Sequence, residues 1–141
     1  MPTFTFSFRV RYAETDQMGT FYNARVFEWF EVARSELSRS IGMPYTEWET
    51  KGLFLPLVEA HANYKGRARY DDLLEMTVTS MVVGHVRLRF EYSIRHAEAP
   101  NALVATGYTV HPIVDSSMRP MRIPDWVRQS LGGEAATEKA E

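Results

Sequence analysis

The feature that most constrains this chain is one long amphipathic segment near its N-terminus. Apolar residues recur there at three- and four-residue spacings, at Val26, Phe27, Phe30, Ala33, Leu37 and Ile41. This spacing predicts a helix with one apolar face, which the rest of the chain must cover. Gly42 and Pro44 mark its end, because glycine takes the left-handed C-terminal position and proline cannot continue the helix. The turn before the helix holds Asp16 and Gly19.

The rest of the chain alternates between apolar and polar residues, as β-strands do. The alternating runs cover residues 4–12, 53–64, 73–83, 86–95 and 102–115. Short connections between them, such as the one at Gly84, are typical of antiparallel hairpins. Gly107 indicates a bulge or a close backbone approach in the last run. Short helices are predicted at residues 44–52 and 123–131, each with a proline near its start. The order predicts an α+β domain, in which an antiparallel sheet of about five strands wraps around one long central helix.

Composition restricts the class of protein. The chain has 141 residues, 45% of them hydrophobic, which is enough for one domain with a substantial core. It has no cysteine, so disulfides and thiolate nucleophiles are excluded. No apolar run is long enough to cross a bilayer and the N-terminus lacks a signal-peptide pattern. We therefore expect a cytoplasmic protein without a membrane partner.

Charge divides the chain into a neutral body and an acidic end. The formal net charge is -2, and residues 132–141 account for it with three Glu and one Lys. A nucleic-acid binder would show a basic excess, so no nucleic-acid partner is expected. The acidic end has no large apolar residue and no periodicity, and we predict that residues 132–141 are disordered. The folded domain is predicted to be residues 1–131.

Three separated stretches resemble one known family. They are YAETDQMGTFYNARVFEWFEVAR, YKGRARYDDLLEMTV and RPMRIPDWVR. In this order they resemble the N-terminal signature, the second-to-third strand passage and the C-terminal end of the hotdog-fold acyl-CoA thioesterases of the 4-hydroxybenzoyl-CoA thioesterase type. The chain departs from the family at two places. The family often has Pro at Arg67 or Ala68, and often His or Tyr at Asn23.

The resemblance implies both a fold and an activity. The fold is the hotdog fold, a curved antiparallel sheet around the central helix. Two subunits would pair edge to edge, in a homodimer or homotetramer, with active sites at the subunit interface. The activity would be hydrolysis of an acyl-CoA thioester to a carboxylic acid and free coenzyme A, with Asp16 as the catalytic carboxylate. No metal or other cofactor is expected, since coenzyme A is part of the substrate.

Thioester hydrolysis needs a carboxylate and donors for the developing oxyanion. Asp16 can supply the carboxylate. The N–H groups around Tyr22 and Asn23, at the positive end of the helix dipole, can supply the donors. On position alone, an Asp before a helix is more commonly a turn or capping residue, and only the resemblance favours catalysis. Whether Asp16 attacks the carbonyl or deprotonates water is left open.

Further polar residues are candidates for the same site. Glu59 and His61 share one face of the second strand and could form an acid/base pair, with Glu59 ordering water. Strand alternation alone produces the same pattern. Basic residues that could bind the coenzyme A phosphates are Lys65, Arg67, Arg69, Arg87 and Arg89. A solvated strand face explains these residues equally well.

Two other functions are compatible with the same fold. A hotdog dehydratase or hydratase would pair an acid with a histidine, and no histidine lies in the Asp16 turn. A non-catalytic acyl-CoA binding or sensing module would keep the pocket and lack turnover. The sequence has no G-x-S-x-G motif, which argues against a serine hydrolase of the α/β type.

Overall fold

The computed structural model describes residues 2–132 and has one long helix lying against an antiparallel sheet. In chain order the elements are β1 (Thr3–Arg9), a 3-10 turn (Tyr12–Glu14), α1 (Arg25–Ser40), α2 (Tyr45–Thr50), β2 (Glu59–Tyr64), β3 (Leu73–Val83), β4 (Arg87–His96), β5 (Ala99–Pro112) and α3 (Asp125–Leu131). The predicted α+β class is confirmed. All but the first residue of the predicted disordered segment lies outside the described residues.

The five strands of the described chain form one sheet in the order β1-β3-β4-β5-β2. Every neighbouring pair is antiparallel. Gly84 makes the tight β3–β4 connection with φ +69°, a conformation that glycine adopts without strain. β2 and β1 are the two edges of the sheet, so both present unpaired backbone groups.

The core lies between α1 and the inner face of the sheet. From α1 it includes the fully buried residues Val26, Phe30, Ala33 and Leu37, as the spacing predicts. From β4 it includes Leu88, Phe90, Tyr92 and Ile94. Phe30 stacks on Tyr92 with ring centroids 4.0 Å apart. Phe27 is the exception on the predicted apolar face, since it meets Phe30 edge-on and remains 39% exposed.

Gly107 is a place of close approach, as the sequence predicts. A Cβ atom there would lie 2.2 Å from the carbonyl oxygen of His61 and 2.8 Å from the Phe30 ring. The absent side chain therefore lets β2, β5 and α1 meet. The register shifts of β4–β5 lie elsewhere, between Ile94 and His96.

Two predicted strands are shorter than their patterns. The run over residues 4–12 ends as a strand at Arg9, because the chain turns into the 3-10 segment. The run over residues 53–64 becomes a strand only at Glu59, after Pro56, which has no N–H to donate to a ladder. Among the described residues, no helix has the length and apolar character needed to span a membrane.

Candidate active site

Asp16 lies in a tight turn between the 3-10 segment and α1. The Asp16 N–H donates to the carbonyl of Thr20 (2.9 Å), and the Gly19 N–H donates to the carbonyl of Asp16 (3.2 Å). The Asp16 Oδ1 atom accepts the N–H of Met18 at 2.8 Å. Its Oδ2 atom has no hydrogen bond with the described residues, and the residue is half-buried. One carboxylate oxygen thus closes the turn, and the other is available for chemistry.

The two residues immediately before α1 leave their backbone donors open. Within residues 2–132, the N–H groups of Asn23 and Ala24 form no hydrogen bond. No side chain caps the helix, because the N-cap residue is Ala24, which has no side-chain acceptor. The Tyr22 N–H donates to the carbonyl of Glu14 at 2.7 Å. The prediction that Tyr22 offers an open donor is therefore wrong.

Glu14 anchors this turn to the helix, and the sequence analysis missed it. Glu14 is 96% buried. Its Oε1 atom accepts the Arg11 N–H at 2.7 Å, and its Oε2 atom accepts the indole N–H of Trp29 at 2.9 Å. Arg11 also forms an ion pair with it at 3.3 Å. The sequence signal for such a partner is Trp29 itself, because the indole N–H of a tryptophan that becomes buried in a helix needs an acceptor.

The loop after β2 packs on the Asp16 turn. The Phe21 N–H donates to the carbonyl of Ala68 (2.9 Å) and Arg67 Nη2 donates to the carbonyl of Met18 (3.1 Å). Lys65 and Arg69 are exposed in the same loop. The structure therefore brings Arg67 into contact with the Asp16 turn, and Lys65 and Arg69 lie two residues from Arg67 in the same loop.

Glu59, Arg87 and Arg89 lie elsewhere. Glu59 is at the opposite end of β2 from Tyr64, about 16 Å away at 3.3 Å per residue. It accepts a hydrogen bond from Tyr108 Oη at 2.6 Å, and the Arg89 guanidinium lies 3.8 Å above the same ring. Within the chain, these residues are not brought together with Asp16.

His61 also contacts Tyr108, the residue that binds Glu59 and Arg89. Its ring stacks on Tyr108 with centroids 5.4 Å apart, so the predicted pairing of Glu59 with His61 is replaced by contacts of both with Tyr108. The hydrogen bond to Glu59 raises the pKa of the Tyr108 hydroxyl. Over the described part of the chain, no three His, Cys, Asp or Glu residues are grouped so that they could bind a metal ion.

Comparisons with known proteins show the family to which the sequence and the fold are similar. The family described as the thioesterase-like superfamily matches residues 10–131. The acyl-CoA thioesterase YbgC of Haemophilus influenzae is 30% identical over 131 residues, covering 91% of this chain and 93% of its own length. A 1,4-dihydroxy-2-naphthoyl-CoA hydrolase of Synechococcus elongatus is 26% identical, covering 91% and 97%. A DHNA-CoA thioesterase from Staphylococcus aureus superposes with a TM-score of 0.80 at 28% identity, covering 89% and 87%.

Proposed function

Because the chain belongs to the thioesterase-like superfamily and is a thioester hydrolase, we propose that it hydrolyses acyl-CoA with the Asp16 carboxylate. The hotdog fold predicted from the sequence is confirmed. YbgC and the naphthoyl-CoA hydrolase act on coenzyme A thioesters by name, which supports a CoA thioester as the substrate. The observation that carries the proposal is the free Oδ2 of Asp16, in a turn that is bonded to a helix start with open N–H groups.

The proposed reaction uses these two features together. Asp16 Oδ2 either takes a proton from the attacking water or attacks the thioester carbonyl carbon itself. The Asn23 and Ala24 N–H groups donate to the oxygen on which negative charge develops, assisted by the positive end of the α1 dipole. The C–S bond then breaks, and coenzyme A leaves as a thiol, its sulfur protonated by the proton that Asp16 took from water in the first route and by solvent in the second. In the second route, water then hydrolyses the anhydride between Asp16 and the acyl group, which releases the carboxylic acid and restores the Asp16 carboxylate. No cofactor besides the coenzyme A of the substrate is required.

The loop after β2 is the proposed contact for the coenzyme A phosphates. Lys65, Arg67 and Arg69 are exposed there, and Arg67 touches the Asp16 turn directly. Arginine and lysine are the side chains that bind phosphate oxygens best. Arg87 and Arg89 lie on the outer face of the sheet, so we leave them out of the coenzyme A site.

The proposed partner at β2 is a second copy of the chain. The Lys65 N–H donates to the carbonyl of Val104, its neighbour across the ladder. In an antiparallel ladder the odd-numbered residues of β2 therefore bond to β5, and the backbones of Ala60, Ala62 and Tyr64 face the open edge. Exposed Leu57 and Val58, at 56% and 53%, precede this edge. The β2 strand of a second copy would form hydrogen bonds with the open backbone groups and cover this apolar surface.

The test is release of free thiol from a panel of aliphatic and aromatic acyl-CoA substrates. Turnover is expected with at least one of them. Tight binding of acyl-CoA without turnover would favour the binding or sensing module. Hydration of an enoyl-CoA without thiol release would favour the dehydratase or hydratase.

A further inference from the structure

A cavity opens beside α1, lined by none of the residues of the Asp16 turn. Its volume is about 180 Å³, and its lining residues are Glu31, Arg34, Ser35, Ser38, Tyr45, Leu55 and Phe90. This space equals about six water molecules, enough for a carboxylate and a few methylene groups. Ser38 is 95% buried, and its hydroxyl has no hydrogen-bond partner among residues 2–132. Because every buried side-chain N or O atom of the described residues does have a partner, the Ser38 hydroxyl is accessible from the cavity. The cavity therefore offers polar groups that its own walls do not satisfy.

A buried chain of hydrogen bonds runs from this cavity under α1 into the core. Arg34 Nη1 lies 3.1 Å from Tyr92 Oη, which lies 2.6 Å from Thr109 Oγ1. Thr109 Oγ1 lies 3.0 Å from His111 Nε2, and His111 Nδ1 lies 3.2 Å from the carbonyl oxygen of Leu55. Tyr92, Thr109 and His111 are each at most 3% exposed. Such a network is costly unless every member is satisfied.

The two ends of this network determine which group donates in each of its hydrogen bonds. A guanidinium can only donate and a carbonyl can only accept, so Arg34 donates to Tyr92 and His111 Nδ1 donates to Leu55. Burial lowers the pKa of His111 to about 4, with the Arg34 charge adding to the effect, so the ring is neutral at pH 7. Neutral His111 Nε2 then accepts from the Thr109 hydroxyl, which accepts from the Tyr92 hydroxyl. The chain orients Arg34 without supplying any negative charge.

Arg34 is consequently a half-buried cation without a carboxylate partner in the described chain. Elsewhere in α1, two pairs of a glutamate and an arginine three residues apart do form ion pairs. They are Arg25–Glu28 at 2.9 Å and Glu36–Arg39 at 2.5 Å. Glu31 and Arg34 have the same spacing and do not pair, since Arg34 is held by Tyr92. Four of the five guanidinium N–H donors remain for a ligand.

We propose that this cavity binds the far end of the acyl group and that Arg34 selects an acyl group ending in a carboxylate. The inference rests on the proposed acyl-CoA hydrolysis. Arg34 is ten residues beyond Ala24, or about 15 Å along the helix that carries the proposed oxyanion donors. Phe27 lies between them on α1; it is 39% exposed and packs edge-on against the buried Phe30. An acyl chain following α1 would thus cross apolar surface before reaching the cation.

The experiment compares dicarboxylic acyl-CoA thioesters of increasing length with monocarboxylic ones of the same carbon number. We expect kcat/KM to favour the acid-ended member at one length by about tenfold to a hundredfold, the effect of a hydrogen bond to a charged group. Arg34→Gln is expected to bring the ratio close to one, and Arg34→Lys to restore part of it. Arg39→Gln, which removes a paired charge from the same helix, is the matched control and should keep the preference.

Binding of non-hydrolysable thioether analogues, measured by calorimetry, separates this inference from the proposed reaction. Tighter binding of the acid-ended analogue to wild type than to Arg34→Gln supports the Arg34 site even if no thioester is hydrolysed. Equal binding of both analogues, or a preference that Arg34→Gln retains, overturns it even if hydrolysis is fast. Circular dichroism shows whether Arg34→Gln is folded, and if it is not, the comparison of analogues on wild type and Arg34→Lys decides.

Discussion

The hydroxyl of Tyr64 donates a hydrogen bond to the backbone carbonyl of Asn23 at 2.7 Å. This bond joins the last residue of the open edge strand β2 to one of the two residues whose N–H groups are the proposed oxyanion donors. Tyr64 is 47% exposed, so its outer side remains available to a neighbouring subunit. We therefore expect changes at the β2 edge to reach the catalytic geometry, although no residue of β2 takes part in the proposed chemistry.

The first prediction concerns the two oxygens of Asp16. In Asp16→Asn the side-chain oxygen can still accept the Met18 N–H, so the turn should persist, but the amide cannot act as base or nucleophile. We expect kcat for acyl-CoA to fall by about 10²–10⁴-fold with little change in unfolding free energy. Thiol release and urea denaturation measure the two effects.

The control for this variant is Asp115→Asn. Asp115 Oδ1 accepts the N–H groups of Ser117 (2.8 Å) and Arg119 (3.0 Å), so it closes a turn as Asp16 does, but after β5. Activity should survive there. Wild-type activity in Asp16→Asn would remove the proposed catalytic role.

Local patterns in the sequence predict most of the fold. Alternation predicts β3 within its observed bounds, Leu73–Val83, because every second side chain enters the core. It misplaces the start of β2, because Leu57 and Val58 continue the pattern although both are exposed. An alternation of apolar and polar residues indicates only that successive side chains point to opposite faces. It does not report whether a second strand lies within hydrogen-bonding distance.

The site is less predictable, because its contacts join residues far apart in the chain. Asp16 and the helix start are neighbours in sequence, and local spacing could suggest them. Glu14 with Trp29 is a tertiary contact, and Arg34 reaches His111 only through β4 and β5. Such contacts depend on strand order, and the order β1-β3-β4-β5-β2 is not contained in any local pattern.

The second prediction concerns the coenzyme A phosphates. Arg69→Gln removes an exposed charge whose side chain makes no hydrogen bond or ion pair within residues 2–132. KM for acyl-CoA should rise by up to about fivefold, since an exposed ion pair contributes at most about 1 kcal/mol. KM for the corresponding N-acetylcysteamine thioester, which lacks phosphates, should not change. Arg87→Gln on the outer face of the sheet is the matched control. Equal effects on both substrates would argue against a phosphate contact.

The third prediction tests self-association through β2. Ala60→Pro removes an N–H that faces the open edge and leaves the ladder to β5 intact. Sedimentation velocity should show a shift toward monomer, and thiol release should fall with it if the site needs the partner.

Thr5→Pro is the corresponding change on the other edge strand. The Pro2 and Val10 hydrogen bonds show that even-numbered residues of β1 bond to β3, so the Thr5 N–H also faces outward. Assembly should be unaffected by this change. Dissociation by Thr5→Pro and not by Ala60→Pro would place the subunit contact at β1.

The fourth prediction concerns His111, whose pKa burial lowers from 6.5 to about 4. Below pH 6.5 the unfolded chain binds a proton at this ring and the folded chain does not, so the free energy of unfolding decreases as pH falls. The contribution of neutral His111 to the free energy of unfolding is fully present above pH 6.5 and is lost by about pH 4. It amounts to at most about 3 kcal/mol. Urea denaturation across this interval should therefore show a steeper pH dependence in wild type than in His111→Gln. The glutamine amide can donate to the Leu55 carbonyl and accept from Thr109, but it does not titrate. If the free energy of unfolding changed equally with pH in the two proteins, His111 would not be buried as a neutral ring.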